Sequence, residues 1–343
     1  MTRRRTRPEP MLGLAVAMAL ALAHPCEARR SSGFCTQTAN TLQVACNADV
    51  KDNGSVKKAI CLNISDSQAR SACLGERTTD QTEGRQLCRE QHDWRLAACK
   101  QLGEARYDPD LSPALFDDPK SPAKPNPYFP ITVGNTWEYR AGPETNTVEI
   151  VNETKLIAGV NCLVARDRVF TNGDLTEDTD DWFCPAKSGA VWYFGEETKQ
   201  LESFDGDNPR RPELVDIEGS FKAGRDGAKP GIIFLASPSK GDVYLEEFSL
   251  GNAEDLTEVL STTYTFGQDP ELDRLVPRQL AELLCSGNCV VTRNISLLEP
   301  GVEERKYYAL GIGTFLETAL ETGEVVQLVT CNFDARCQSL PTP

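Results

Sequence analysis

Six cysteines from Cys35 to Cys99 are spaced by 10, 14, 11, 14 and 10 intervening residues. Cys46 to Cys73 and Cys61 to Cys88 share one separation of 27 residues, which predicts a duplicated hairpin of short helices. The intervening stretches are rich in Ala, Gln, Arg, Lys and Glu and poor in β-branched and aromatic residues, a composition that favours helix. Asp52-Asn53-Gly54 and Ile64-Ser65-Asp66 supply turns and an N-cap. Structural zinc sites gather ligands in close pairs such as C-x2-C, and this region has none. Its sulfur is therefore expected in disulfides, which hold together a helical segment with little core of its own.

The compartment follows from the start of the chain. Arg3, Arg4, Arg5 and Arg7 precede an apolar stretch, Met11 to Ala23. That stretch is too short to span the ~30 Å hydrocarbon core of a bilayer. A basic start, a short apolar middle and small residues at the end describe a secretory signal peptide over residues 1–28, cut after Ala23 or Ala28. Pro25 argues against a lipid on Cys26. The cut after Ala28 takes His24 and Cys26 with the leader. One histidine, His92, and an even set of cysteines remain: Cys35, Cys46, Cys61, Cys73, Cys88, Cys99, Cys162, Cys184, Cys285, Cys289, Cys331 and Cys337. Such a set reads as disulfides in an oxidising compartment. Proximity pairs Cys162 with Cys184, Cys285 with Cys289 and Cys331 with Cys337, and leaves the first six open. No other segment approaches membrane length, so a soluble secreted or periplasmic protein is expected.

Three regions follow the leader. Residues 29–107 form the Cys-rich helical domain. Pro109, Pro113, Pro119, Pro122, Pro125, Pro127 and Pro130 mark residues 108–130 as an extended linker. From residue 131 to 343 the period becomes alternating, with candidate strands from Thr136 to around residue 332. Ala158-Gly159, Asn172-Gly173, Ser188-Gly189, Lys240-Gly241 and Thr322-Gly323 supply the turns between many of them. Short strands without intervening amphipathic helices predict a mainly β, antiparallel architecture. With so many strands, a barrel or strongly curved sheet leaves the fewest open edges, and a β-sandwich is the alternative. Leu272 to Leu284 carries the one short helix expected here.

Several stretches carry a resemblance. Pro127-Tyr128-Phe129-Pro130 with Gly134, Trp137 and Tyr139 resembles the opening of a family of uncharacterised secreted bacterial proteins. Asp181-Trp182-Phe183 with Val191 to Glu196, the loop Gly227-Ala228-Lys229-Pro230-Gly231, and Tyr307, Gly311 and Gly313 are similar to its later motifs. The resemblance covers residues 100–330 or so. It implies export and a β-rich fold, and brings no activity.

The chemistry is narrowed mostly by what is missing. A net charge of -15 repels phosphate backbones, which excludes nucleic acid as a partner. One histidine after the leader excludes H-E-x-x-H proteases and three-histidine metal centres. G-x-S-x-G, the phosphate-binding P-loop and a complete G-x-G-x-x-G are absent. The S-x-x-K matches at Ser55, Ser121 and Ser237 lack their companion motifs. Carboxylates are in excess. Glu177, Asp178, Asp180 and Asp181 follow Asp174, so Asp178, Asp180 and Asp181 are the candidate ligands for calcium, the one cofactor considered. Asp205-Gly206-Asp207-Asn208 is a weaker loop of the same kind.

Alternation singles out two glutamates. Glu196 is expected on one strand face with Trp192 and Phe194, and Glu246 on one face with Tyr244 and Phe248. If those faces turn inward, the carboxyl pKa values rise. Trp192, Glu196, Tyr244, Glu246 and Tyr308 are thus the candidate ligand-binding residues of a non-enzymatic binding or envelope-interaction protein. Its partner would be a small molecule, a glycan or an envelope protein. The runner-up is a glycan hydrolase built on two carboxylates, which needs no histidine. A purely structural, cross-linked surface protein is the third reading.

Overall fold

The computed structural model describes residues 33–343, so the leader expected over residues 1–28 lies outside the described residues. The helical region is one antiparallel hairpin of two long helices, α1 (Phe34–Leu62) and α2 (Ser67–Leu102). Disulfides Cys35–Cys99, Cys46–Cys88 and Cys61–Cys73 cross it as rungs. The duplicated hairpin of short helices is therefore corrected. The cysteine spacing reads the same from either end, which is what rungs across two antiparallel helices require. Asp52-Asn53-Gly54 does not break α1. Gly54 instead lets α2 approach, because a Cβ there would strike Gln81, and its carbonyl accepts from Arg77 Nε at 2.5 Å. The turn is at Asp66, whose side chain caps α2 by accepting from the Ala69 amide at 2.7 Å.

The rest is mainly antiparallel sheet. It begins with β1 (Thr136–Ala141), β2 (Glu144–Ile157), β3 (Val160–Thr171), β4 (Asp174–Pro185) and β5 (Val191–Glu202). Two short strands, β6 (Glu213–Asp216) and β7 (Phe221–Lys222), branch from β5, before β8 (Lys229–Phe234), β9 (Val243–Leu245) and β10 (Glu247–Phe248). The series ends with β11 (Asp255–Tyr264), the helix α3 (Arg278–Leu284), β12 (Cys289–Ser296), β13 (Glu303–Ala309), β14 (Gly313–Ala319) and β15 (Glu324–Cys331). Asn172-Gly173 and Ala158-Gly159 turn the chain with positive φ at both positions, 53° and 90°, and 49° and 85°. These are the tight hairpin turns that match strand twist.

The sheet curves until its edges meet, giving a nearly closed barrel. β10 and β9 lie at opposite ends of the strand order, yet only Glu246 separates them in the chain. The stretch read as a single strand over residues 243–249 thus changes partners at Glu246, from β11 on one edge to β8 on the other. Gly231 on β8 makes this seam possible, since a Cβ there would collide with the Glu246 carbonyl. Gly231→Ala is expected to destabilise the fold by about 1–3 kcal/mol, measured by chemical denaturation, because backbone rather than a flexible side chain must yield.

Three further disulfides, Cys162–Cys184, Cys285–Cys289 and Cys331–Cys337, pin β3 to β4, the loop after α3 and the C-terminal end. Residues 108–130 run along the barrel. Phe116 bridges to Ala186, and the Asn126 amide donates to the carbonyls of Gly189 and Leu235. The aromatic pair at the end of this segment enters the barrel mouth. Tyr128 stacks on Phe234 with ring centroids 5.7 Å apart, and Phe129 meets Phe183 edge-on at 5.1 Å. No helix among the described residues is long and apolar enough to cross a membrane.

Candidate functional site

Strand alternation directs one side of the wall inward, around a cavity of about 310 Å³. Residues from β1, β2, β3, β4, β8, β13, β14 and β15 line it. Its polar groups include Asp167, Asp181, Glu317, Lys306, Asn146, Thr314, Tyr139 and Tyr308, set among apolar side chains.

On β4 and β5 a phenol joins two carboxyl groups. Tyr193 Oη donates to Asp181 Oδ1 at 2.5 Å and lies 3.0 Å from Glu196 Oε2. A phenol has one proton to give, so holding both contacts as hydrogen bonds requires a proton on one carboxyl group. Burial, followed by the charge of Glu196, pushes the Asp181 carboxyl up to about 8. Burial likewise raises Glu196 to about 7. The neighbouring Asp167 is pushed to about 8 by burial first and by Asp181 second. Asp167 Oδ1 and Asn146 Oδ1 are both buried without a hydrogen-bond partner. A hydrogen bond with the Asn146 side chain opposes the rise of Asp167 without cancelling it.

Across the lumen lies the cavity's single ammonium. Lys306 on β13 has no carboxylate within ion-pair distance among the described residues; it is held only through longer-range fields. Burial opposes its charge, but Glu317 and Glu246 together raise it well above the usual lysine value. Glu246 is 3% exposed, accepts from Asn294 Nδ2 at 2.8 Å on Oε2, and leaves Oε1 without a partner. Burial pushes it to about 7 against the pull of Lys306. Glu247 and Asp255 at the seam are raised by burial, and Asp255 raises Glu247 further.

The candidate residues do not all face the same way. Tyr308 lines the cavity, Tyr244 packs in the same buried cluster as Tyr308 and Phe234, and Glu246 is buried against Asn294 outside the cavity lining. Glu196 does not share a face with Trp192 and Phe194. Gly195, at φ 124°, forms a bulge opposite Trp182, and the register slips between Asp181 and Phe183. The alternation reverses there, so Glu196 joins Tyr193 inside. Trp192 and Phe194 point the other way, edge-on to Phe116 at 6.1 and 5.4 Å.

The calcium assignment is corrected for the same geometric reason. Asp178 and Asp180 lie on the face opposite Asp181 and pair with Arg168 and Arg166, each at 3.0 Å. Those arginines are their direct cross-strand neighbours. Three carboxylates split between two faces cannot share one ion. Among the described residues no group of three or more metal-ligating side chains converges.

Asp167, Tyr193, Lys306 and Glu317 escape the sequence reading. Lys306 sits in Glu303-Glu304-Arg305-Lys306, which reads as a solvated charge run. The signal that could have found it is its spacing of two from Tyr308. Asp167 likewise alternates with Leu163 and Ala165.

No protein-family model matches the chain, and no curated protein does. A solved structure from Bacteroides fragilis NCTC 9343, described as an exported protein with a YMCC-like fold, aligns with 60% of this chain and 98% of its own. Its TM-score is 0.32 and its identity 11%, too distant a likeness to carry function across.

Proposed function

We propose that the protein is an exported binding protein whose lumen takes a small organic cation, an alkylammonium or guanidinium group. The charge imbalance of the cavity carries this reading: Asp167, Asp181 and Glu317 line it against Lys306 alone. Trp137, Tyr139, Phe183 and Tyr308 add ring faces, each worth about 0.5–2 kcal/mol to a desolvated cation. At about 310 Å³ the space is at the lower end of small-molecule pockets, so the ligand is small. A bound cation provides the counter-charge that the buried acids lack, and they release protons as it enters. Export is supported by six disulfides, which belong to an oxidising compartment.

The hydrolase reading has less behind it. Two-carboxylate glycosidases need environments that drive the pair apart, one acid protonated and the other ionised. Asp167, Asp181, Glu196 and Glu246 all move upward, which leaves none of these four favoured as the ionised partner.

Calorimetry with methylammonium, guanidinium and glucose at pH 6 and pH 8.5 tests the proposal. Cation binding with proton release, tighter at pH 8.5, is expected, and Asp181→Asn should weaken it by about tenfold, as for a lost charge-assisted hydrogen bond. Glucose binding in place of the cations, or cation binding indifferent to Asp181→Asn, refutes it.

A further inference from the structure

A second space lies outside the lumen, between the helical hairpin and the barrel seam. We infer that this cleft binds a long-chain fatty acid, its tail against the apolar wall and its carboxylate at the cationic mouth. The inference is independent of what the lumen binds.

The cleft encloses about 810 Å³, well within the range of small-molecule sites. Its wall is formed by Phe34, Leu42 and Leu102 from the hairpin and Leu245, Phe248 and Leu250 from the seam. Three of these large side chains are left open at one place: Phe34 is 45% exposed, Leu102 36% and Leu250 43%. Scattered apolar residues need no partner, but a contiguous set around one concavity marks a binding surface.

The charges there run against those of the molecule. In a chain of net charge -15, the cleft carries Arg95, Arg106 and Lys229 against Glu247 and Glu254. Arg95 and Glu254 neutralise each other in a buried bidentate pair. Burial, then the charge of Asp255, holds Glu247 well above the usual carboxylate range, so its negative charge is suppressed. Lys229 is tied to Asp108 at 2.8 Å. Arg106 has no ion pair among the described residues, and its guanidinium lies 3.5 Å from the centre of the exposed Phe34 ring. An unpaired, weakly hydrated cation beside an open apolar wall is matched by an anionic head on a long apolar tail.

Fluorescence titration of the delipidated exported protein with dansyl-undecanoate, in competition with palmitate, reads this site directly. Saturable one-to-one binding displaced by palmitate is expected. Arg106→Glu should weaken it about tenfold or more, the size of a charge-assisted contact. Thr38→Trp, which fills the cleft from an accessible position on α1, should abolish it while leaving methylammonium binding and thermal stability unchanged. Displacement by dodecyltrimethylammonium as effective as by palmitate, or binding indifferent to both substitutions, overturns the inference. So does a dimer that Thr38→Trp dissociates and palmitate does not, because the cleft then belongs to a second copy.

Discussion

Denatured at a series of pH values, the protein should lose stability steadily as pH rises from about 4 to about 8. The sign follows from the direction of the lumen shifts. Asp167 and Asp181 are raised to about 8, and Glu196 and Glu246 to about 7, from unfolded values near 4. Between those limits the folded chain holds protons that the unfolded chain has released, so each step upward in pH favours unfolding. A fully shifted group adds a slope of up to about 1.4 kcal/mol per pH unit, reduced where cavity water reaches it. Below about pH 4 the trend reverses. Glu104, Asp108 and Asp334 are lowered by hydrogen bonds to Thr36, Lys229 and Arg336, and their contribution fades as they take up protons. Asp167→Asn and Asp181→Asn keep the shape and remove the titration, so the upper slope should flatten stepwise in the two variants. An unchanged slope in both would mean that these carboxylates are already ionised in the folded protein.

Arg95→Met should be the most damaging single substitution outside the lumen. The guanidinium meets Glu254 through Nε at 2.8 Å and Nη2 at 2.9 Å, with side-chain exposures of 6% and 4%. Removing one member leaves a carboxylate buried beside the Gly251 amide and little else. Breaking such a pair typically costs about 3–5 kcal/mol, whereas replacing both members by apolar groups of similar volume is far milder. The double variant Arg95→Met with Glu254→Leu should therefore recover most of the loss in a thermal-unfolding series. Equal losses in the single and double variants would show that packing, not the stranded charge, is what matters there. Because the pair joins α2 to the loop before β11, the same series reports how firmly the hairpin is attached to the barrel.

Much of the architecture was legible in local chemistry. Asn-Gly and Ala-Gly turns, alternating strands and an unbroken supply of short segments led to a curved antiparallel sheet, because each signal acts over a few residues. What escaped depends on partners distant in sequence. The bulge at Gly195 is set by Phe221, whose carbonyl a Cβ there would strike, and that contact reverses the face of Glu196. The split at Glu246 is set by two strands competing for one segment. Lys306 was hidden by the charges beside it, and only its register with Tyr308 places it inside. The helical rungs were readable in principle. Their spacing is mirror-symmetric, and that same symmetry produces the two equal separations of 27 residues that mimic a repeat.

The change of partners at Glu246 bears on how the barrel comes apart. Both borders of the sheet finish on one run of six residues, Val243 to Phe248. Pulling that run free would strip both borders together, so the wall should give way as a unit rather than peel from one side. Conversely, while the run stays in place it occupies the sites on β8 and β11 where a stray segment from another molecule would otherwise add on.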